Sequence, residues 1–130
     1  MNGKFLLDTN LVIALFAGEP AVTQGLMDAE EVFLPSIVLG ELYFGARKSK
    51  RAEENISRLD DFAVSNIVLN CDTNIARRYG EVKDRLRQKG RPIPENDVWI
   101  AAIPLEHGLS LVTRDEHFAE VEGLNIETWE

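Results

Sequence analysis

A chain of 130 residues, 45% of them hydrophobic, has the length and apolar content of one globular domain, and residues 1–130 are read as a single unit. It contains no apolar run near the roughly 20 residues that cross a bilayer, and its start, MNGKFLLDTN, lacks the pattern of a signal peptide, so a cytoplasmic location is expected. The lone Cys71 excludes an internal disulfide; with two histidines and no CxxC the composition points away from thiolate or imidazole zinc, and any metal is expected on oxygen.

A net charge of -8 argues against broad attraction to nucleic acid, but the charge is unevenly spread. From Arg47 to Arg91 there are 12 basic and 7 acidic residues, net +5, leaving 2 basic and 15 acidic elsewhere, net -13. One segment is able to face a polyanion that the rest repels.

Along the chain, KFLLD reads as a buried strand ending at Asp8, and LVIALFAG as a short helix closed by Gly18. EVFLPS is a second strand, with Ser36 placed to cap a helix through SIVLGELYFGA. A charged helix covers about 50–63, a strand follows at NIVLN, and Asp72 or Thr73 opens a long helix with the stripe Ile75, Tyr79, Val82, Leu86, ended by KGRPIP. NDVWIAAIPLEHG is a helix capped by Asn96, in which Pro104 predicts a kink or an early end. The strand LSLVT, the loop RDEHF and a short strand near NIETW complete the series. Strands alternating with helices predict an α/β/α sandwich on a mainly parallel sheet.

Within SIVLGELYFGA, Glu41 is the only charge and has apolar neighbours on every helix face, which predicts that it is buried or in a cleft. Such a carboxylate must be protonated, paired with a base, or bound to a cation. Three other acids share apolar settings: Asp8 and Asp115 just past strands, and Asp97 in the first turn of its helix. Singly, each has a plain explanation as a turn former or cap. If the four meet, their repulsion calls for a cation, and hard oxygen donors suit one or two Mg²⁺ or Mn²⁺ ions, which orient phosphodiesters and activate water.

With these residues in view, the chain resembles the PIN-domain ribonucleases, in particular the VapC-type toxins of prokaryotic toxin-antitoxin pairs. LLDTN, GELYFGA, IPENDVWIAA and GLSLVTRDEHF stand in the order and spacing of that family, nearly end to end. The resemblance implies a metal pocket of Asp8, Glu41, Asp97 and Asp115, supported by Asn10 and Thr113. It implies RNA as substrate and a small antitoxin that lays a helix on an apolar groove, for which Leu11, Phe16, Tyr43 and Phe44 are candidates. Family members commonly form dimers or larger complexes with the antitoxin. Arg47, Lys48 and Arg51 are candidates for RNA backbone contacts. Arg114, where the family has a small polar residue, is a further candidate for substrate phosphate, for a site carboxylate, or for a surface role. His107 and His117 are assigned no part in catalysis.

Two other classes compete. A non-catalytic module would keep the acidic pocket only for a basic partner. An aspartate-nucleophile phosphatase would want a second Asp two positions after Asp8, where Asn10 stands, and a receiver domain would want a paired acid and a late lysine that the chain does not show.

Overall fold

The five apolar runs read as strands all pair, and all in parallel, in one sheet. The computed structural model describes residues 3–130. The strands are β1 (Lys4–Leu7), β2 (Glu31–Pro35), β3 (Ile67–Leu69), β4 (Ser110–Val112) and β5 (Ile126–Glu127), in spatial order β3-β2-β1-β4-β5. Six helices flank them: α1 (Thr9–Phe16), α2 (Pro20–Asp28), α3 (Ser36–Arg47), α4 (Ala52–Ser65), α5 (Thr73–Lys89) and α6 (Glu95–His107). The expected α/β/α arrangement is therefore present, with a wholly parallel sheet.

Sheet order decides where a site lies. The steps β1 to β2 to β3 run one way and the step from β3 to β4 runs back, so right-handed crossovers place α1 to α4 on one face and α5 and α6 on the other. The reversal falls between β1 and β4, which pair Leu6 with Leu111 and Leu7 with Val112. Beyond the carboxyl ends of such a strand pair the chain splays to opposite faces and leaves a crevice. The core beneath is built from the fully buried Leu6, Leu7, Leu34, Ile100, Leu111 and Phe118.

Several sequence expectations change. Residues 20–28, whose sequence carries no clear periodicity, form α2, with Pro20 in its first turn, where a missing N–H costs nothing. Gly25 of this helix is required by packing, since a Cβ there would stand 2.5 Å from the indole of Trp129. Ser36 and Asn96 are not caps; the extended prolines Pro35 and Pro94 occupy those positions, and Asp97 N–H donates to the Pro94 carbonyl at 3.0 Å. Asp72 does cap α5, accepting from Ile75 N–H at 3.0 Å. The early end at Pro104 is not observed. α6 runs to His107 and closes on left-handed Gly108 (φ 68°), while the Pro104 ring is buried. Burial of the ring offsets part of the lost Ile100 hydrogen bond.

Candidate functional site

Asp8 ends β1 and caps α1, so both its oxygens are fixed by neighbours. Oδ1 accepts from Thr9 N–H at 2.8 Å, and Oδ2 accepts from the Thr113 hydroxyl at 2.7 Å and from the Asn10 amide at 3.5 Å. The residue is only 5% exposed. Burial raises its pKa, the Thr113 and Thr9 hydrogen bonds oppose that, and the charges of Glu41 and Asp115 raise it further.

Thr113, just past β4, is itself buried and joins two acids: its oxygen donates to Asp8 and accepts from Asp115 N–H at 3.1 Å. Asn10 fastens the same loop by accepting from Arg114 N–H at 3.3 Å. Asp115 accepts from His117 N–H at 2.9 Å, which turns the chain into a 3₁₀ segment, Glu116–Glu120. Asp97 enters from the first turn of α6. Burial pushes its carboxyl up to about 6; Asp8 and Asp115 add to the rise, and His117 opposes it.

Glu41 takes the second of its two expected settings, in a cleft rather than buried. It is exposed on α3, at the edge of a cleft of about 310 Å³, and its Oε1 accepts from the Thr9 hydroxyl at 2.9 Å. Its apolar sequence neighbours are explained by α3 packing: Val38, Leu39 and Ala46 are buried, and Leu42 lines the cleft. Glu41 nonetheless raises the pKa of Asp8, so it acts in the same field as the other three acids.

One neighbour was missed. The His117 ring lies with Nδ1 3.0 Å from Asp115 Oδ1 and 3.4 Å from Asp97 Oδ2, and the donor atoms of Asp97, Asp115 and His117 fall within 4.8 Å of one another. As loop-flanking residues both histidines read as structural or exposed, and His117 is indeed half exposed, but the short turn returns it to the site. Its signal in the sequence was the spacing DEH, which lets an Asp cap a tight turn and bring a ring two residues later back beside itself.

The peripheral candidates divide. Leu11 is fully buried and lines no groove, because α1 turns Leu11, Val12 and Ala14 inward and leaves Ile13 56% exposed. Phe16 lines the cleft beside Glu41, with Ile13, Leu42 and Arg58, and the Arg58 guanidinium sits 4.1 Å over its ring. Tyr43 is half-buried and donates to Asp60 at 2.5 Å, away from the cleft lining. Phe44 is 65% exposed under the Lys48 ammonium, 4.4 Å from the ring centroid. Arg47, Lys48 and Arg51 are exposed around the turn from α3 to α4. Arg114 does not reach a site carboxylate. It pairs with Glu19 at 3.0 Å and donates to the carbonyls of Trp129 at 2.9 Å and Thr128 at 3.5 Å, tying the last residues to α2.

The donors present fit a hard divalent cation: Asp8 and Asp97 lie near Asp115, and burial, with the charge of neighbouring carboxylates, raises the proton affinity of both.

Comparison with known proteins agrees with this geometry. The PIN domain family model matches residues 5–124. Ribonuclease VapC2 of Haemophilus influenzae is 35% identical, the match covering 97% of this chain and 98% of that protein; the tRNA(fMet)-specific endonuclease VapC of Shigella flexneri is 33% identical with the same coverage. The solved structure of VapBC2 from Rickettsia felis, bound to a DNA fragment from its promoter, superposes with a TM-score of 0.89 at 31% identity, covering 98% of this chain and 99% of that one. The chain belongs to the PIN domain family and stands within it among the VapC ribonucleases.

Proposed function

We propose that the chain, acting as one nuclease unit in the cytoplasm, is an endoribonuclease toxin that hydrolyses RNA phosphodiester bonds with Mg²⁺ or Mn²⁺ and is neutralised by an antitoxin of the VapB kind. The observation that carries the reading is Asp8: a buried carboxylate beside Asp115 and within the field of Glu41, with its proton affinity raised and no cation side chain bonded to it among the described residues. The RNA specificity rests on the VapC relatives, which are named ribonucleases.

Asp8, Asp97 and Asp115 would hold the ion, with Glu41 at the solvent edge. When bound, a divalent ion supplies charge neutralisation and Lewis acidity toward the phosphodiester. Thr113 and Asn10 hold the acids in register, and Thr9 donates to Glu41 at the solvent edge. Arg47 at the end of α3, with Lys48 and Arg51 on the turn after it, is exposed on the basic segment, and the three would contact RNA phosphates. The apolar cleft of Ile13, Phe16 and Leu42 would receive the antitoxin segment, in an assembly of paired copies or larger. No helix among the described residues is long and apolar enough to cross a membrane.

The test is incubation of chelator-stripped protein with total cellular RNA, with and without Mn²⁺ or Mg²⁺, followed by mapping of new 5′ and 3′ ends. Stripped protein should leave RNA intact, either ion should restore discrete cuts, and Asp8→Asn or Asp97→Asn should abolish them without loss of fold. Cleavage by the double variant would overturn the reading.

A further inference from the structure

The ring of His117 is positioned twice over. Asp115 accepts its backbone N–H, and the next residue, Phe118, is fully buried in the core, so the 3₁₀ turn fixes where the imidazole can stand. Its Nδ1 is 3.0 Å from Asp115 Oδ1 and 3.4 Å from Asp97 Oδ2. Donors at about 2.1–2.2 Å in adjacent positions of a six-coordinate ion stand about 3 Å apart, which both separations approach. The side chain is half exposed and also borders a cleft of about 290 Å³ with Arg91, Ile93 and Glu120, so the ring is open to solvent.

The geometry points to His117 as a nitrogen ligand of the metal centre, alongside Asp97 and Asp115, and so as the residue that sets which divalent ion the site prefers. This rests on the metal-dependent reading above and extends it from an oxygen-only set to a mixed one. The chemistry discriminates between ions. Mg²⁺ favours oxygen and keeps its waters, whereas Mn²⁺ and the later first-row ions accept imidazole more readily. A nitrogen donor therefore raises the affinity for Mn²⁺ relative to Mg²⁺ and leaves the Mg²⁺ affinity, set by the carboxylates, nearly unchanged.

The experiment loads the protein with Mn²⁺ and records electron spin-echo modulation, which reports directly bound nitrogen independently of activity. Wild-type protein should show imidazole ¹⁴N modulation that changes to ¹⁵N in protein labelled at histidine; it should vanish in His117→Gln and persist in His107→Gln. Calorimetric titrations should give a Mn²⁺ over Mg²⁺ preference of about ten-fold or more, reduced about five-fold by His117→Gln, with Mg²⁺ affinity held within about two-fold. Mn²⁺ bound with an oxygen-only signature, or a preference indifferent to His117→Gln, would overturn the inference and leave the metal-dependent nuclease standing. Failure of Mn²⁺ to bind at all would overturn both. The isotope-labelled arm needs no variant, so the inference stays exposed even if His117→Gln misfolds.

Discussion

Thr113 holds two acids with one hydroxyl, donating to Asp8 and accepting from Asp115 N–H. Thr113→Val leaves a buried carboxylate oxygen and a loop N–H without that partner, at a cost of about 1–3 kcal/mol. Thermal unfolding should show a Tm several degrees lower, and metal titration about a ten-fold or greater loss of affinity; Thr113→Ser should retain most of both. Asp97 gives a prediction in pH. Its folded-state pKa, about 6, lies above the ordinary aspartate value of 3.8, so between these values the folded state binds more protons than the unfolded one. The stability of metal-free protein therefore falls as pH rises through that window, and a divalent ion should restore it. In Asp97→Asn the fall should be smaller and the response to Mn²⁺ lost, as read by Tm with and without metal at about pH 4 and about pH 7; an unchanged pH slope would count against this account. The four acids were legible because a carboxylate in an apolar run conflicts with its surroundings. The choice of cleft over burial for Glu41 and the approach of His117 were not, since the first depends on which face α3 buries and the second on a turn whose direction is fixed by the burial of Phe118.

Among the elements, α2 shows what periodicity misses. PAVTQGLMD buries one residue fully, Val22, so it has no apolar stripe to read, and its placement comes instead from Gly25 against Trp129. Trp129 has a left-handed backbone (φ 53°), rests edge-on against Phe5 with ring centroids 5.2 Å apart, and is held by Arg114 through its carbonyl. Gly25→Ala puts a methyl group into the indole and should destabilise the fold by about 1–3 kcal/mol. Chemical denaturation is the measurement, and Gly25→Ala combined with Trp129→Leu should recover part of the loss. The strongly patterned elements were legible throughout: the stripe of α5 buries Ile75, Val82 and Leu86, and its fourth member, Tyr79, stacks on Trp99 with centroids 4.0 Å apart. Helix starts were less so, because Ser36 and Asn96 are good caps in isolation but the extended prolines before them already fix the entry angle.

For the molecule as a whole, charge is arranged so that the acids gather at the crevice between β1 and β4 while Arg47, Lys48 and Arg51 stand exposed around the end of α3. If those side chains guide RNA, Arg47→Glu with Lys48→Glu should lower kcat/KM about ten-fold, flatten its dependence on salt, and leave Tm nearly unchanged, because both positions are exposed. Steady-state cleavage at two ionic strengths checks this, and an equal loss in Tm would assign the pair a structural role instead. The strand order has a consequence for the chain while it is being made. The hydroxyl that fixes Asp8 belongs to Thr113, made 105 residues later, which is roughly 5–20 s of translation. β1 sits beside β4 in the finished sheet, so a nascent polypeptide that stops short of residue 113 has half a cutting edge and nothing to set it against. The carboxylate of Asp8 therefore gains its hydroxyl partner only once the strand that carries Thr113 has been made and paired.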